Sequence, residues 1–333
     1  MRLTVVGAGS FGTAMAVVAA RCGHEVMLWA HDPSVADEIT AKRTNLRYLP
    51  EASFDDRIEA TSDLHRAAAF SDTLVMVVPS HYYRSVLASI GERLTRPVRI
   101  VSATKGIENE SLERMSEISS GVLGEKLTRY AAVSGPTFAL ETVRGDPTTA
   151  VIASSDLDFA TEIQRTLSDT LFRLYRSEDV VGVELSGSLK NIIAIAAGVI
   201  EGLGFGSNTN AALVTRGLHE IRRLGLALGG RPETFAGLAG MGDLVLTCTG
   251  SLSRNRRVGA ELGRGKLLAE ILDETKFVAE GVRTCKAARE LSERHGIEMP
   301  ITSEMFRVLY ENESPRAAVQ RLMARSLKSE IGN

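Results

Sequence analysis

The chain has 333 residues, enough for about two domains at the usual ~150 residues each. Its content of 44% hydrophobic and 24% charged residues is that of a globular protein with a full core. The 39 basic and 41 acidic residues leave a formal charge of -2, which gives no electrostatic reason for binding nucleic acid or an anionic membrane.

Further features bear on the cellular compartment. The first predicted strand leaves no room for a signal peptide, and the longest apolar run, residues 192–200, is too short to span a bilayer. Cys22, Cys248 and Cys285 stand far apart, without a Cys-x-x-Cys pair or a histidine at metal spacing. We therefore expect a cytoplasmic protein with reduced thiols, no membrane insertion and no metal site.

The first segment of the chain is the most informative one. Residues 3–6 read as a buried parallel strand, residues 11–21 as a helix of small residues, and a Gly-x-Gly-x-x-Gly pattern joins them. In a dinucleotide-binding β-α-β unit, Gly7 allows the tight turn, Gly9 lets the backbone approach a pyrophosphate, and Gly12 lets the helix pack on the strand. We predict a dinucleotide site here, with the helix N-terminus facing the phosphates. The alternative is a glycine turn in some other α/β protein.

Strand-like and helical segments alternate through the first half of the chain. After the first strand, we predict strands over residues 25–29, 74–78, 98–101, 131–133, 150–153 and 171–175. Such alternation predicts an α/β fold with a doubly wound, mostly parallel sheet of the Rossmann type. Beyond Arg176 the apolar spacing is helical. We therefore predict a dinucleotide-binding domain over residues 1–183 and an all-α substrate-binding domain over residues 184–333.

The end of the second strand bears on the choice of cofactor, because ligands of open α/β sheets bind at the carboxyl ends of the strands. An NAD-selective site commonly has a carboxylate there, whereas this strand ends at Ala30. Asp32 precedes Pro33 and is explained as a helix N-cap. His31 is then the nearest polar side chain to a 2′-phosphate, unless it is simply an exposed loop histidine. We expect NADPH to be accepted at least as well as NADH.

Two later strand ends also carry polar groups. Lys105 stands between a strand end and a glycine, so we predict that it points into the crevice as a cation for substrate or nicotinamide. Gly135 and Thr137 offer a backbone N–H and a hydroxyl to the same ligand. The alternatives are a solvated loop lysine and a plain turn followed by a helix cap.

A lysine in an apolar helix is the candidate for the chemistry. Lys190 and Asn191 lie within residues 184–198, where small and apolar residues occupy every face and indicate a buried helix. A desolvated lysine must find a partner or lower its pKa, and it then exchanges a proton near neutral pH. We predict Lys190 as general acid or base and Asn191 as a residue that orients a hydroxyl or carbonyl. The alternative is a lysine that reaches the surface from the first turn.

Two polar groups follow in the second half. Asp243 and Thr247 share one face if a helix starts there, and we count both as catalytic candidates. An Asp at such a start is only an N-cap unless a buried lysine needs its charge. Ser253, Arg254 and Asn255 combine a helix-start hydroxyl, a guanidinium and an amide, which suit a phosphate. The competing interpretation is a solvated basic face.

Taken in order, these motifs resemble those of one enzyme family. The segments are Gly7-Ala-Gly-Ser-Phe-Gly12, Tyr48-Leu-Pro50, Ala103-Thr-Lys-Gly-Ile-Glu108, Ser134-Gly-Pro-Thr137, Gly187-Ser-Leu-Lys-Asn191, Gly240-Met-Gly-Asp243, Ser253-Arg-Asn255 and Val278-Ala-Glu-Gly281. Their order is that of NAD(P)-dependent glycerol-3-phosphate dehydrogenases of the bacterial type. The resemblance implies reversible reduction of dihydroxyacetone phosphate to sn-glycerol 3-phosphate with NADPH or NADH, feeding phospholipid synthesis. Ser188 and Glu51 depart from the residues usual in the family.

The resemblance also implies roles for single residues. It makes Lys190 the proton donor or acceptor. The implied substrate contacts are Lys105, Gly135, Asp243, Ser253, Arg254 and Asn255, and the implied cofactor contacts are Ser10, Phe11, His31, Lys105, Ala139, Arg254, Val278 and Glu280. The expected partners are a phosphorylated triose and, in a homodimer, a second copy of the chain.

Two other functions stay open. A dehydrogenase of similar architecture acting on a carboxylate, such as a β-hydroxyacid, also uses an interface lysine but needs no phosphate receptor around Ser253. A dinucleotide sensor without catalysis has no reason to bury Lys190 near Asp243. Comparing turnover of phosphorylated and unphosphorylated triose distinguishes the β-hydroxyacid dehydrogenase from the family's activity. Tight cofactor binding without turnover would favour the dinucleotide sensor.

Overall fold

A single sheet organises the first half of the protein. The computed structural model describes residues 1–274, 279–327 and 329–330. Within them the sheet contains eight strands: β1 Arg2–Val6, β2 Glu25–Trp29, β3 Ile58–Thr61, β4 Thr73–Met76, β5 Val98–Ser102, β6 Leu127–Ser134, β7 Thr148–Ala153 and β8 Phe172–Ser177. Their order is β3-β2-β1-β4-β5-β6-β7-β8. All neighbours pair in parallel except β6 and β7, which are antiparallel, so the predicted mostly parallel sheet is confirmed.

Helices cover both faces of the sheet. They are α1 Ser10–Arg21, α2 Pro33–Lys42, α3 Leu64–Phe70, α4 Ser80–Arg93, α5 Met115–Leu123, α6 Ala139–Arg144 and α7 Leu157–Thr166. Because neighbouring strand residues point to opposite faces, Val5 joins the core formed with α1, α2 and α7, while Val6 joins the core formed with α3, α4 and α5. This is the doubly wound arrangement that the sequence predicts.

One strand escaped the sequence prediction. β3 lies at the edge of the sheet and has four residues, of which only Ile58 and Thr61 are buried. Such a short edge strand has no continuous apolar run, so periodicity does not reveal it.

The turn between β1 and α1 requires two of its glycines. Gly7 has a φ of 119°, and a Cβ there would lie 2.7 Å from the carbonyl oxygen of Val77. A Cβ on Gly12 would lie 1.8 Å from the carbonyl oxygen of Gly7. The turn therefore packs as the Gly-x-Gly-x-x-Gly pattern predicts, with the N-terminus of α1 at the carboxyl end of β1.

The second half of the described chain is helical, as predicted. Its helices are α8 Val180–Gly202, α9 Ser207–Ala227, α10 Pro232–Ala236, α11 Asp243–Thr249, α12 Arg254–Gly263, α13 Leu268–Glu274, α14 Glu280–Arg294, α15 Pro300–Tyr310 and α16 Pro315–Met323. Helix α8 forms the centre, with residues 182–200 all buried. The predicted division at residues 183 and 184 falls inside the first turns of α8, and the division itself stays a prediction.

Two glycines, Gly198 and Gly259, allow α12 to pack closely against α8. A Cβ on Gly198 would lie 1.9 Å from the carbonyl oxygen of Arg256, and a Cβ on Gly259 would lie 1.9 Å from that of Ile195. Any side chain at either position would force the helices apart. This close packing brings the N-terminus of α12 beside the middle of α8.

Helix α8 is also the one described helix that is long and apolar enough to cross a membrane. Its most apolar window has a mean hydropathy of 1.5, whereas the apolar run of residues 192–200 by itself is too short to span a bilayer. The whole window is buried inside the protein, as in the core helix of many globular folds.

Candidate active site

The centre of the site is a carboxylate held between two lysines. Asp243, the first residue of α11, accepts a hydrogen bond from Lys190 Nζ through Oδ1 at 2.5 Å. Its Oδ2 accepts one from Lys105 Nζ at 2.6 Å and one from the Ser134 hydroxyl at 3.3 Å. Because Lys105 follows β5, Ser134 ends β6 and Lys190 lies in α8, the carboxylate joins the carboxyl edge of the sheet to the helical half.

Burial and charge act against each other in this cluster. Lys190 is 6% exposed, which rules out the alternative of a lysine that reaches the surface. Burial lowers the pKa of Lys190 to about 8; Asp243 opposes this shift and Lys105 adds to it. Burial alone would raise the pKa of Asp243, but the two lysines outweigh it and hold the pKa below its ordinary value. The cluster therefore contains a permanent anion beside a lysine that titrates near neutral pH.

Thr247 completes the surroundings of the Lys190 ammonium. Its Oγ1 accepts a hydrogen bond from Lys190 Nζ at 2.6 Å and donates one to the carbonyl oxygen of Asp243 at 2.6 Å. An ammonium has three N–H donors, and Asp243 and Thr247 take up two of them. Asn191, the next residue of α8, is buried, and a Cβ on Gly281 would lie 2.6 Å from its carbonyl oxygen.

The backbone after β6 faces the cluster through a carbonyl group. The carbonyl oxygen of Gly135 accepts hydrogen bonds from Lys105 Nζ at 3.5 Å and from Thr137 Oγ1 at 3.2 Å. A Cβ on Gly135 would lie 2.8 Å from the Cα of Ala150, so the position requires glycine. The Thr137 hydroxyl is engaged in this turn, and a contact between it and a ligand stays a prediction.

The residues predicted to bind the substrate phosphate lie at the N-terminus of α12. Ser253 is the N-cap, and its Oγ accepts a hydrogen bond from a backbone N–H of the first turn at 3.2 Å. The side-chain oxygen of Asn255 accepts a hydrogen bond from the backbone N–H of Gly281 at 3.0 Å, which orients its amide. Arg254 Nη2 donates to Ser10 Oγ at 2.5 Å. The guanidinium therefore reaches from the helical half to the first turn of α1.

Other residues predicted to contact the cofactor are spread along the carboxyl edge of the sheet. Ser10 and Phe11 begin α1, His31 follows β2, and Ala139 begins α6. Among the described residues, no hydrogen bond joins His31 or Ala139 to Lys105, Lys190 or Asp243. Val278, also predicted as a cofactor contact, lies outside the described residues.

Glu280 connects the helical half to the start of α4. Its carboxylate accepts hydrogen bonds from the backbone N–H of Ser80 at 3.0 Å and from the Ser80 hydroxyl at 2.6 Å. Burial raises the pKa of Glu280, while the bonds from Ser80 oppose that shift. The carboxylate predicted to contact the cofactor is therefore held at the N-terminus of α4 by a serine.

Three further residues contribute to the site without having been predicted from the sequence: Ser80, Ser134 and Gly187. A Cβ on Gly187 would lie 2.6 Å from the Ser134 hydroxyl, so this glycine lets α8 approach β6. Ser134 is the last residue of β6 and Ser80 begins α4 shortly after β4, and this position at the carboxyl end of a strand was the signal available in the sequence. Their partners are more than a hundred residues away, which no spacing rule anticipates.

Comparison with known proteins identifies the family. Models of the N-terminal and C-terminal parts of NAD-dependent glycerol-3-phosphate dehydrogenase match residues 2–160 and 179–320. A relative from Koribacter versatilis, named glycerol-3-phosphate dehydrogenase using NAD(P)+, is 50% identical and covers 99% of each chain. The chain belongs to the NAD-dependent glycerol-3-phosphate dehydrogenase family.

Another family member and a solved structure support the same assignment. The relative from Citrifermentans bemidjiense is 49% identical over 330 residues, or 99% of this chain and 98% of its own. The crystal structure of glycerol-3-phosphate dehydrogenase from Coxiella burnetii has a TM-score of 0.93 at 40% identity, covering 97% of this chain and 99% of that one. The fold and the order of its two parts are therefore those of the family.

Proposed function

We propose that this chain interconverts dihydroxyacetone phosphate and sn-glycerol 3-phosphate with NAD(P)H, and that Lys190 is the general acid and base. The observation that carries the proposal is the buried carboxylate of Asp243 between Lys105 and Lys190. A dinucleotide sensor without catalysis gains nothing from two lysines at a buried carboxylate, since each buried charge costs desolvation energy.

Lys190 suits proton exchange with the substrate oxygen. In the reduction, its ammonium donates a proton to the oxygen that develops on the former ketone carbon, and in the oxidation its neutral amine accepts the hydroxyl proton. Asp243 and Thr247 orient the amine through the hydrogen bonds described above. Asn191 is the remaining catalytic candidate and would position the same oxygen. A nicotinamide cofactor, when bound, supplies or accepts the hydride.

The residues at the start of α12 suit the phosphate of the substrate. Ser253, Arg254 and Asn255 offer helix N–H groups, a guanidinium and an amide, a set of donors that matches a phosphate dianion. Lys105 donates to Asp243 and to the carbonyl oxygen of Gly135, and together with Thr137 these residues would contact the triose. A carboxylate substrate would have no use for the α12 group, so the family's phosphorylated substrate fits better than a β-hydroxyacid.

The turn at the end of β1 suits the pyrophosphate of a dinucleotide. A Cβ on Gly9 would meet no described protein atom within 4 Å, so only a bound ligand would demand a bare backbone there. The N-terminus of α1 presents its N–H groups at the same place. Ser10, Phe11, His31, Ala139 and Glu280, together with Lys105, Arg254 and Val278, are the proposed cofactor contacts.

We further propose that the protein is a cytoplasmic homodimer that does not insert into membranes. All three cysteines are free thiols, in keeping with a reducing compartment. Met241, Val245 and Leu252 expose apolar side chains on the helical half, a feature typical of subunit interfaces. Light scattering during gel filtration measures the subunit number. A monomer would contradict the proposed dimer but not the proposed reaction.

One assay tests the proposed function. Oxidation of NADH and of NADPH is followed with dihydroxyacetone phosphate and, as the control, with unphosphorylated dihydroxyacetone. We expect turnover with the phosphorylated triose at a much higher kcat/KM. Oxidation of neither cofactor would overturn the proposal, and equal rates with both trioses would favour an enzyme that does not bind phosphate.

A further inference from the structure

An ion pair lies at the edge of the sheet where a dinucleotide places its adenosine ribose. Arg47 Nη1 donates to Asp32 Oδ2 at 2.6 Å. We propose that this pair determines cofactor selectivity, with Arg47 as the cation that binds a 2′-phosphate and Asp32 as the anion that Arg47 must neutralise. The proposal rests on the proposed function and names the residues that distinguish NADPH from NADH.

Asp32 is a charged group close to the expected ribose position. In doubly wound sheets that ribose lies beyond the carboxyl end of the second strand, and β2 ends at Trp29. Asp32 caps α2, since its Oδ1 accepts hydrogen bonds from the backbone N–H and the hydroxyl of Ser34 at 3.0 and 2.7 Å. These bonds, with a smaller contribution from Arg47, lower the pKa of Asp32. The strand end therefore carries a negative charge that a 2′-phosphate has to face.

The segment that carries Arg47 is attached to the dinucleotide turn on both sides. Asn45 is fully buried, and its Nδ2 donates to the carbonyl oxygen of Ala8 and to a threonine hydroxyl of α1, both at 2.9 Å. The carbonyl oxygen of Tyr48 accepts a hydrogen bond from Ser10 Oγ at 2.7 Å. Arg47 is thus held beside the cofactor turn, although it lies in a connection between α2 and β3.

An arginine suits this task chemically. A guanidinium has five N–H donors, so one nitrogen of Arg47 can stay hydrogen-bonded to Asp32 while the others donate to phosphate oxygens. The Arg47 side chain is 54% exposed and lies 5.2 Å from the centre of the Tyr48 ring, so a phosphate can approach it from solvent. Without Arg47, Asp32 would repel a 2′-phosphate but not a ribose hydroxyl. The pair should therefore affect NADPH binding far more than NADH binding.

From the sequence alone, His31 is the predicted contact of the 2′-phosphate, and no local pattern indicates Arg47. His31 follows β2 and packs edge-on against the Trp29 ring, with 5.9 Å between the ring centres. Arg47 is fifteen residues away from Asp32 along the chain, and only the folded loop brings the two together. Both side chains stand at the same strand end, and the permanent positive charge belongs to Arg47.

Three variants and one control test the proposal. Arg47→Ala removes the cation, Asp32→Asn removes the anion while keeping an N-cap acceptor, and the double variant removes both. Arg57→Ala is the matched control, because Arg57 pairs with Asp55 at 3.1 Å with similar exposures of 51% and 47%. Arg57 directly precedes β3 and therefore lies at the opposite, amino end of the sheet. Calorimetry measures the binding of NADPH, NADH, 2′-AMP and 5′-AMP to each variant.

We expect Arg47→Ala to weaken NADPH and 2′-AMP roughly tenfold and to leave NADH and 5′-AMP within about twofold. Asp32→Asn in the Arg47→Ala background should recover part of that loss, because the repelling charge is gone. Arg57→Ala should change none of the four affinities. Equal losses for both cofactors, no recovery in the double variant, or the same loss in Arg57→Ala would overturn the proposal.

Kinetics separate this inference from the proposed function. The binding measurements need no substrate, so they decide the role of Arg47 whether or not dihydroxyacetone phosphate is reduced. If the parent enzyme reduces it and Arg47→Ala keeps the parental ratio of kcat/KM for NADPH and NADH, the selectivity proposal fails alone. If the parent enzyme turns over neither cofactor while 2′-AMP binding depends on Arg47, only the proposed reaction fails.

Discussion

Two buried carboxylates, Asp243 and Glu220, differ in the groups that donate hydrogen bonds to them. Glu220 lies in α9, and the backbone N–H groups of Ile301 and Thr302 at the start of α15 donate to it at 2.6 and 3.2 Å. Burial raises the pKa of Glu220 to about 7 against these bonds. Asp243 is equally buried, yet two lysines hold its pKa below the ordinary value. Burial by itself therefore does not distinguish the two carboxylates. The two lysines beside Asp243 do, and a shifted pKa next to a specific charge partner is typical of functional sites.

The largest expected difference between the two carboxylates concerns turnover. If Lys190 is the general acid, Lys190→Met should lower kcat by roughly 10²- to 10⁴-fold while cofactor affinity is retained. Glu220→Gln, which alters a buried carboxylate outside the site, should keep kcat within about twofold. Steady-state kinetics with dihydroxyacetone phosphate, combined with cofactor titration, measures both. Turnover of the Lys190 variant within a few-fold of the parent enzyme would reduce Lys190 to a structural role.

Variants of Arg254 distinguish binding of the substrate phosphate from proton transfer at the cluster around Asp243. Because the phosphate both holds and orients the substrate, Arg254→Ala should lower kcat/KM by about 2 to 4 kcal/mol, or roughly 30- to 1000-fold. Arg254→Lys should recover only part of this loss, since lysine lacks the planar fork. The same kinetics with unphosphorylated dihydroxyacetone serve as the control. An equal loss with that triose would show that Arg254 acts on the cofactor or on the fold.

The pH dependence of the two reaction directions should differ in sign. Reduction needs protonated Lys190, so its kcat should fall about tenfold per pH unit above the pKa of about 8. Oxidation needs the neutral amine, so its kcat should rise with pH and level off above that pKa. Measuring kcat in both directions between about pH 6.5 and 9.5 tests this. Parallel profiles in the two directions would contradict an acid and base role for Lys190.

The smallest expected effect concerns stability at Glu220. Its pKa of about 7 lies above the ordinary value, so the folded state holds a proton that the unfolded state has released. The contribution of Glu220 to the free energy of unfolding should therefore fall as the pH rises from about 4.5 to 7 and then level off. Glu220→Gln removes this loss, so the Tm of the variant minus that of the parent should increase between about pH 5 and 7.5. A constant difference would show that Glu220 does not titrate in this range.

Sequence patterns predicted those features of the structure that depend on residues close together in the chain. The Gly7 and Gly12 positions were predictable because a tight turn and a close helix approach exclude any side chain. The N-cap role of Asp32 before Pro33 was predictable because capping involves residues two or three apart. Lys190 stood out because a lysine among the small and apolar residues of a buried helix has few structural explanations. By contrast, the edge strand β3 has too few apolar residues to produce a pattern.

By itself, the sequence determined the class of fold, the dinucleotide turn and the identity of the reactive lysine candidate, because periodicity, glycine sterics and residue chemistry act over a few positions. Tertiary structure alone decided which groups meet. It brought Ser134 and Lys105 to Asp243, Ser80 to Glu280, and Arg47 to Asp32. Such contacts join strand ends, loops and helices that are distant in the chain, and they form only when the sheet edge and the helices on it are packed. Hydrogen-bond partners across that edge are therefore a property of the assembled fold and not of any segment.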